Sequence, residues 1–313
     1  MTAPMSHPLD AACYADQASF CSVEVVENVP LAKDTWRVRF HAPQMARRFV
    51  PGQFLMMRLA GYEDPLLARP LALYDTADDP PAAQNGGKPL GIDVVYFVMG
   101  KMTSRLANFR PGQKLDVWGP LGNGFPLGRP DEHLIMVGGG IGQTPFMALA
   151  RESLGLRRYG EPQRIAPRAG RVTLCYGARR GEFLAGVPDF ERLGVDVRIS
   201  TDDGSAGHHG LVTDLLRDVL DAKEESGTDE SKRESSPVAR RIICCGPLPM
   251  MRAVAEIAEK ASVPCWASLE TPMACGIGIC FSCVAKIRDA AGGWDYRRTC
   301  VEGPTFEATR IVW

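Results

Sequence analysis

The sequence predicts a multi-domain protein of β plus α/β class: an antiparallel β-barrel, a parallel-sheet α/β domain, and a small C-terminal domain organised by cysteines. Three observations carry this. Short β-type runs separated by Pro and Gly turns fill the first third of the chain. Beyond Arg129, continuous apolar strands alternate with helix-length segments, the pattern of a parallel sheet covered on both faces. Near the C-terminus, Cys275, Cys280, Cys283 and Cys300 leave intervals of four, two and sixteen residues. A length of 313 residues favours about two domains, with room for a small third.

Residues 1–20 lack periodicity and read as a mobile tail. From 21 to 128 the runs CSVEVVENV, TWRVRFHA, QFLMMRL, GIDVVYFVM and QKLDVWG are the barrel strands. Between two of them, TADDPPAAQNGGKP is a polar loop expected to extend outward. From 129 to 264 the strands are HLIMVGG, RVTLCYG, VDVRIST and RRIICCG. The helices are PFMALARESL, GLVTDLLRDVL and LPMMRAVAEIAEKA. Asp221 to Val238 is charged, serine-rich and free of aromatics, and is expected to be a disordered surface insertion. Residues 265–313 form the cysteine domain.

Composition removes several classes of function. With 45% hydrophobic and 23% charged residues the chain is ordinary globular material. A net charge of −1 with dispersed basic residues gives no footprint for nucleic acid. No apolar run approaches the roughly 18 residues of a membrane span. The N-terminal MTAPMSHPLDAACYADQ has neither a basic start nor an apolar centre, so a cytoplasmic setting with reduced thiols is expected.

The four cysteines match the Cys-x4-Cys-x2-Cys…Cys spacing of a plant-type [2Fe–2S] cluster. Ala274, Gly276, Gly278 and Ser282 suit a loop that wraps closely and aims backbone N–H groups at sulfur. A structural zinc site usually presents two close pairs, whereas here three cysteines crowd together and one stands alone. The remaining six, Cys13, Cys21, Cys175, Cys244, Cys245 and Cys265, mostly have apolar neighbours and read as small buried residues.

Two loops mark the α/β domain. Gly138, Gly139, Gly140, Ile141, Gly142 and Thr144 lie in GGGIGQTP between a strand and a helix, where a glycine turn lets amides approach a pyrophosphate. Cys245, Gly246 and Pro247 follow another strand and open another helix. Either loop alone is equally consistent with a tight turn. In the barrel, Arg69, Pro70, Leu71 and Ala72 place a cation beside β-prone positions, and Gly100, Lys101, Met102 and Thr103 follow the strand containing Val95, Tyr96 and Phe97. A guanidinium can bind a diphosphate in bidentate fashion, and a Gly/Thr turn can offer it N–H and hydroxyl donors. Taken alone, Arg69 is more often a surface ion-pair partner than a ligand.

The order barrel, RPLAL, GKMT, PLGNGF, GGGIGQTP, TDDGSAGHHGLVTD, CCGPLPMM and cysteine loop, closed by CVEGPTF, resembles the ferredoxin reductase superfamily. More narrowly it resembles the electron-transfer subunits of class 1B dihydroorotate dehydrogenases. The resemblance implies FAD on the barrel (21–128), NAD on the α/β domain (129–264) and a [2Fe–2S] cluster on 265–313. It implies a partner: an FMN-containing dihydroorotate dehydrogenase catalytic subunit, two copies of each forming a heterotetramer for pyrimidine biosynthesis. Arg69 to Ala72, Val95 to Phe97, Met102 and Thr103 match FAD-contacting positions; Ala72 and Met102 depart from the family's serine and glycine. Gly138 to Thr144 would hold NAD, with Cys245, Gly246 and Pro247 near its nicotinamide, and no catalytic acid or base is assigned to this chain. Such a chain converts electron pairs, as a nicotinamide exchanges them, into the single electrons of a cluster. An NAD(P)H-dependent ferredoxin or hydrogenase-associated flavin reductase shares the same three-part order, and a zinc-stabilised interaction module is the non-enzymatic alternative. Arg179 and Arg180 leave NAD against NADP open, and Glu270 reads as either a modulator or a surface carboxylate.

Overall fold

A computed structural model describes residues 14–78, 89–222 and 238–313. Most of the polar loop and of the charged insertion, together with Cys13, lies outside the described residues.

In chain order the barrel contains β1 (Ser19–Ala32), β2 (Thr35–His41), α1 (Pro43–Arg48), β3 (Phe54–Leu59), β4 (Arg69–Ala72), β5 (Asp75–Ala77), β6 (Gly91–Phe97), α2 (Lys101–Leu106) and β7 (Lys114–Leu121). They form one seven-stranded sheet in the order β4-β3-β7-β1-β2-β6-β5, with every pairing antiparallel. Its edge strands β4 and β5 are separated in sequence only by Leu73 and Tyr74, so the sheet curls round toward itself. Inside sit Val38, Phe40, Leu55, Met57, Tyr96, Met102 and Val117.

Residues 14–20 correct the expectation of a tail running to residue 20. Tyr14–Gln17 is a 3-10 turn and β1 starts at Ser19. Ala15 and Ala18 pack against the apolar cluster that holds Cys283 and Cys300, and Arg48 donates to the Gln17 carbonyl and Ser19 hydroxyl. Two alanines carried no hydrophobic period strong enough to signal this.

The second layer system runs β8 (His133–Gly139), α3 (Phe146–Ser153), β9 (Arg171–Ala178), α4 (Val187–Arg192), β10 (Asp196–Thr201), β11 (His208–His209), α5 (Val212–Asp221), β12 (Arg240–Cys245), α6 (Leu248–Lys260) and β13 (Cys265–Ser268). The order is β11-β10-β9-β8-β12-β13-β16. All pairings are parallel except that of β16 (Thr305–Glu307) with β13. Strands β8 and β9 are buried along nearly their whole length, which is why their sequences are continuously apolar. Crossover helices cover both faces and bury Phe146, Leu149 and Phe190 on one side and Leu216, Met251 and Val254 on the other.

The expected boundary at 264/265 cuts through this sheet, because β13 and β16 complete it from within 265–313. Between them the hairpin β14 (Val284–Arg288) and β15 (Trp294–Arg298) forms a separate two-stranded sheet, whose Ile287 packs into the same core as Ala267 of β13 and Phe306 of β16.

Candidate functional site

The four cysteines come together in two pairs. Cys275, Cys280 and Cys283 lie on a stretch without helix or strand after β13; Cys300 follows β15. Gly276 and Gly278 have φ of +72° and +84°, and Phe281 shares the left-handed region at 57°. A Cβ on Gly276 would meet Met56 Cγ at 2.4 Å, and one on Gly278 would meet Val301 Cγ2 at 2.6 Å. Both glycines are therefore required by conformation and by space.

Cys283 Sγ lies 3.2 Å from Cys300 Sγ, and the amide and hydroxyl of Thr299 donate to the Cys283 carbonyl. Cys280 Sγ lies 3.1 Å from Ser282 Oγ, and the Ile277 amide donates to Cys275 Sγ at 3.4 Å. Hydrogen bonding from Ser282, with a contribution from Cys275, lowers the Cys280 thiol to about 6. Cys300 lowers Cys283 to about 6, and the same contact raises Cys300. Cys280 and Cys283 thus favour the thiolate at neutral pH.

This donor set fits a two-iron cluster, which takes two thiolates per iron. Among the described residues, no three His, Cys, Asp or Glu side chains converge on one point, as a single zinc ion would need. Cys283 and Cys300 are buried, Cys275 is half-buried and Cys280 is exposed, so one end of the set faces outward.

On the barrel, Arg69 is exposed and donates only to the carbonyls of Leu67 and Ala68. No ion pair among the described residues includes it. Its charge remains free for an anion, unlike that of the surface ion-pair partner weighed above. Gly100, with φ +79°, has open space where a Cβ would stand. Pro70, Leu71 and Ala72 line the edge strand β4 half-buried.

Other expected residues face elsewhere. Tyr96 points into the barrel core, its hydroxyl donating to Asn28 Oδ1 at 3.0 Å. Met102 is buried in the same core, so this departure from glycine puts no side chain into a ligand's path. Thr103 spends its hydroxyl locally, donating to the Met99 carbonyl and accepting the Met99 amide; it is not the free donor its motif suggested. Val95 faces the core shared with the parallel sheet, and Phe97 packs on Phe183 of the second unit at 6.3 Å. From Tyr96 and Met102 only the backbone is available to a cofactor.

At the carboxyl edge of the parallel sheet, β8 and β12 run side by side with Gly138 opposite Cys245. Gly139 packs on Pro247 and Met250, and Gly142 lies so close to the Cys245 carbonyl that a Cβ would be 2.2 Å from it. Gly140, at φ +56°, has nothing within 4 Å. Ile141 and the buried Thr144 complete the turn, the Thr144 amide donating to the Ile141 carbonyl. The two glycine loops therefore form one surface where an open α/β sheet takes its ligand.

Burial, with the nearby Glu270 carboxylate adding, pushes the Cys245 thiol up to about 12. Glu270 is exposed and acts on that edge. Arg180 approaches Glu182 at 3.7 Å and Asp203 at 3.9 Å, both loosely. Cys175, Cys244 and Cys265 are buried, while Cys21 and Cys245 are half-buried.

Sequence reasoning missed three residues. Gln143 is fully buried with neither amide atom paired, within a loop whose reading named Gly138 to Gly142 and Thr144 and passed over it. Trp118 and Asn123 hold the cysteine segments from the barrel side; nothing in a single sequence marks contacts over such separations. Barrel and sheet are joined by Tyr74 to Asp189 at 2.8 Å, Arg151 to Asp75 at 2.5 Å and Tyr159 to Asp75 at 2.7 Å.

Comparison with known proteins matches residues 22–125 to an oxidoreductase FAD-binding domain and residues 270–312 to the iron–sulfur cluster binding domain of dihydroorotate dehydrogenase B. The electron transfer subunit of dihydroorotate dehydrogenase B (NAD(+)) from Desulforamulus reducens is 32% identical over 90% of this chain and 94% of its own length. Its counterpart from Caldanaerobacter subterraneus is 31% identical over 92% and 96%. Among solved structures, the NADH-dependent reduced ferredoxin–NADP oxidoreductase, a flavin-based electron-bifurcating protein, superposes with a TM-score of 0.70 at 25% identity, covering 93% of this chain and 90% of that one. Phthalate dioxygenase reductase, at a TM-score of 0.55 and 18% identity over 94% and 96%, shares the fold. No helix among the described residues is long and apolar enough to cross a membrane.

Proposed function

Because the chain belongs to the family of dihydroorotate dehydrogenase B electron-transfer subunits, we propose that it carries electrons from the FMN of a dihydroorotate dehydrogenase catalytic chain through [2Fe–2S] and FAD to NAD+. The observation that carries this reading is the two-by-two pairing of Cys275 with Cys280 and of Cys283 with Cys300, the first three on a loop pressed against the barrel wall at Met56 and Cys300 on the segment returning after β15. Bound FAD supplies exchange of electrons in pairs with a nicotinamide and singly with an iron–sulfur cluster.

The chain's own residues bind and align. Arg69, which has no carboxylate partner among the described residues, offers its guanidinium to the FAD diphosphate, and the open turn at Gly100 leaves room for a ligand. The backbone of Val95 to Phe97 and of Met102 and Thr103, with Pro70 to Ala72, lines the flavin side. Gly138 to Gly142 and Thr144 let amides reach the NAD pyrophosphate. The Cys245 thiol, protonated at neutral pH, presents a compact neutral wall with Gly246 and Pro247 near the nicotinamide. The four thiols hold the cluster, and the exposed Cys280 marks the end offered to the partner.

The family matches at 22–125 and 270–312 support a flavin unit at 21–128 and a cluster unit within 265–313, and the NAD unit at 129–264 between them rests on the relatives' names. The partner's identity rests on the relatives' names. A two-plus-two assembly in the cytoplasm rests on the family resemblance.

Absorbance of the purified full chain tests the reading. Flavin and iron–sulfur bands are both expected, and both should bleach with NADH under anaerobic conditions. A colourless protein holding only zinc would overturn it.

A further inference from the structure

We propose that Trp118 is a positioning residue for the cluster loop: its indole N–H, set by barrel strand β7, holds the Cys275 carbonyl and so fixes the loop against the flavin barrel. This rests on the assignment of the four thiols to a [2Fe–2S] cluster made above.

The bond spans 2.9 Å between Trp118 Nε1 and the Cys275 oxygen. Next to it, Gly276 lies close enough to β3 and β7 that a Cβ would meet Met56 at 2.4 Å and Leu121 at 3.1 Å. The Phe20 ring lies tilted beside the indole, its centroid 6.1 Å away. Barrel wall and cluster thiols share one apolar core, in which Phe54, Met56 and Leu121 pack with Cys283, Cys300 and Val301 and Trp118 closes the margin.

The same strand end also grips the other cysteine segment. Asn123 donates to the carbonyls of Thr305 at 2.8 Å and Glu302 at 3.3 Å, and accepts the Thr305 amide at 3.2 Å. Trp118 and Asn123 thus hold the segments on either side of the thiols from the barrel, while Arg298 of β15 donates to the Gly278 carbonyl within the loop at 3.0 Å. The loop has no helix or strand to satisfy its carbonyls, so the barrel's donor, on a stiff side chain with two torsions, limits how far its Cys275 end can lean away.

Trp118→Phe keeps the ring and deletes the donor. In the full-length holoprotein, anaerobic rapid mixing with NADH should show flavin bleaching within about two-fold of wild type and cluster bleaching about five-fold slower, the size of one lost hydrogen bond. The electron paramagnetic resonance spectrum of the reduced cluster should shift, and amide exchange should quicken across residues 274–283. Cluster bleaching and exchange both matching wild type overturn the proposal. If Trp118→Phe loses the cluster, exchange in the cluster-free full chains decides: quickening confined to 274–283 upholds it, and equal exchange overturns it. Absence of flavin bleaching in wild type would instead refute the proposed function, and the exchange comparison would still judge Trp118.

Discussion

Replacing Gly142 by alanine probes the nucleotide edge with a single carbon atom. The new Cβ would lie 2.2 Å from the Cys245 carbonyl oxygen, 2.5 Å from its carbon and 2.8 Å from Gly246 Cα. These are backbone atoms and cannot swing aside, so the turn after β8 and the end of β12 must part by about 1 Å. Gly142 is not in the left-handed region, so the cost comes from contact alone, on the order of 1–3 kcal/mol. If the two loops form one NAD surface, separating them weakens NADH binding about ten-fold or more, since 1.4 kcal/mol is a factor of ten. Gly140→Ala serves as a comparison for stability only: it has open space at φ +56°, so it adds about 1 kcal/mol of backbone strain without moving β12. Anaerobic stopped-flow bleaching of flavin across a range of NADH concentrations reads the effect, with intact flavin and cluster absorbance confirming the fold. Wild-type NADH affinity and an unchanged melting temperature in Gly142→Ala would refute the reasoning.

Arg69→Gln removes a cation that has no carboxylate partner among the described residues. The cofactor-free chain should change in stability by no more than about 0.5 kcal/mol, while FAD affinity, followed by flavin fluorescence, should fall about ten- to hundred-fold. Arg151→Met leaves Asp75 buried opposite Asp93, its partner across β5 and β6. A loss of about 3 kcal/mol is expected in thermal or urea unfolding, and a loss below the surface range would show that this contact does not fasten barrel to sheet. His133 is buried against Thr173 at 2.8 Å, and burial lowers it from 6.5 to about 4. As pH falls from 6.5 toward 4 the unfolded chain takes up this proton before the folded one does. The folded state therefore loses up to about 3 kcal/mol across that window, stability that is present above it. His133→Gln should flatten the pH dependence of unfolding there, and parallel curves would contradict the assignment.

Periodicity made the parallel sheet legible, because strands buried on both faces read as apolar runs: HLIMVGG and RVTLCYG coincide with β8 and with nearly all of β9. The cysteine spacing likewise pointed to a two-iron donor set. The short strand β5 and the helices α1 and α2 escaped notice, and β4 showed only as β-prone positions beside Arg69, because segments of three to six residues carry too little pattern to separate from turns. Side-chain direction was the other loss. Tyr96 and Met102 sit in motifs with a cofactor precedent, yet the pleat of β6 and the docking of α2 turn both inward. The membership of β16 in the central sheet depends on its pairing with β13 across the cysteine loop, and that of β13 on its pairing with β12 across α6, neither of which a local window contains.

Dihydroorotate-dependent NADH formation, measured with this chain co-expressed with an FMN-containing catalytic chain, tests the central claim most directly. Wild type should form NADH only when both chains are present. Cys280→Ser should abolish that transfer while NADH added directly still bleaches the flavin. Equal loss of both reactions, or reduction that proceeds only from another donor such as ferredoxin, would contradict the account.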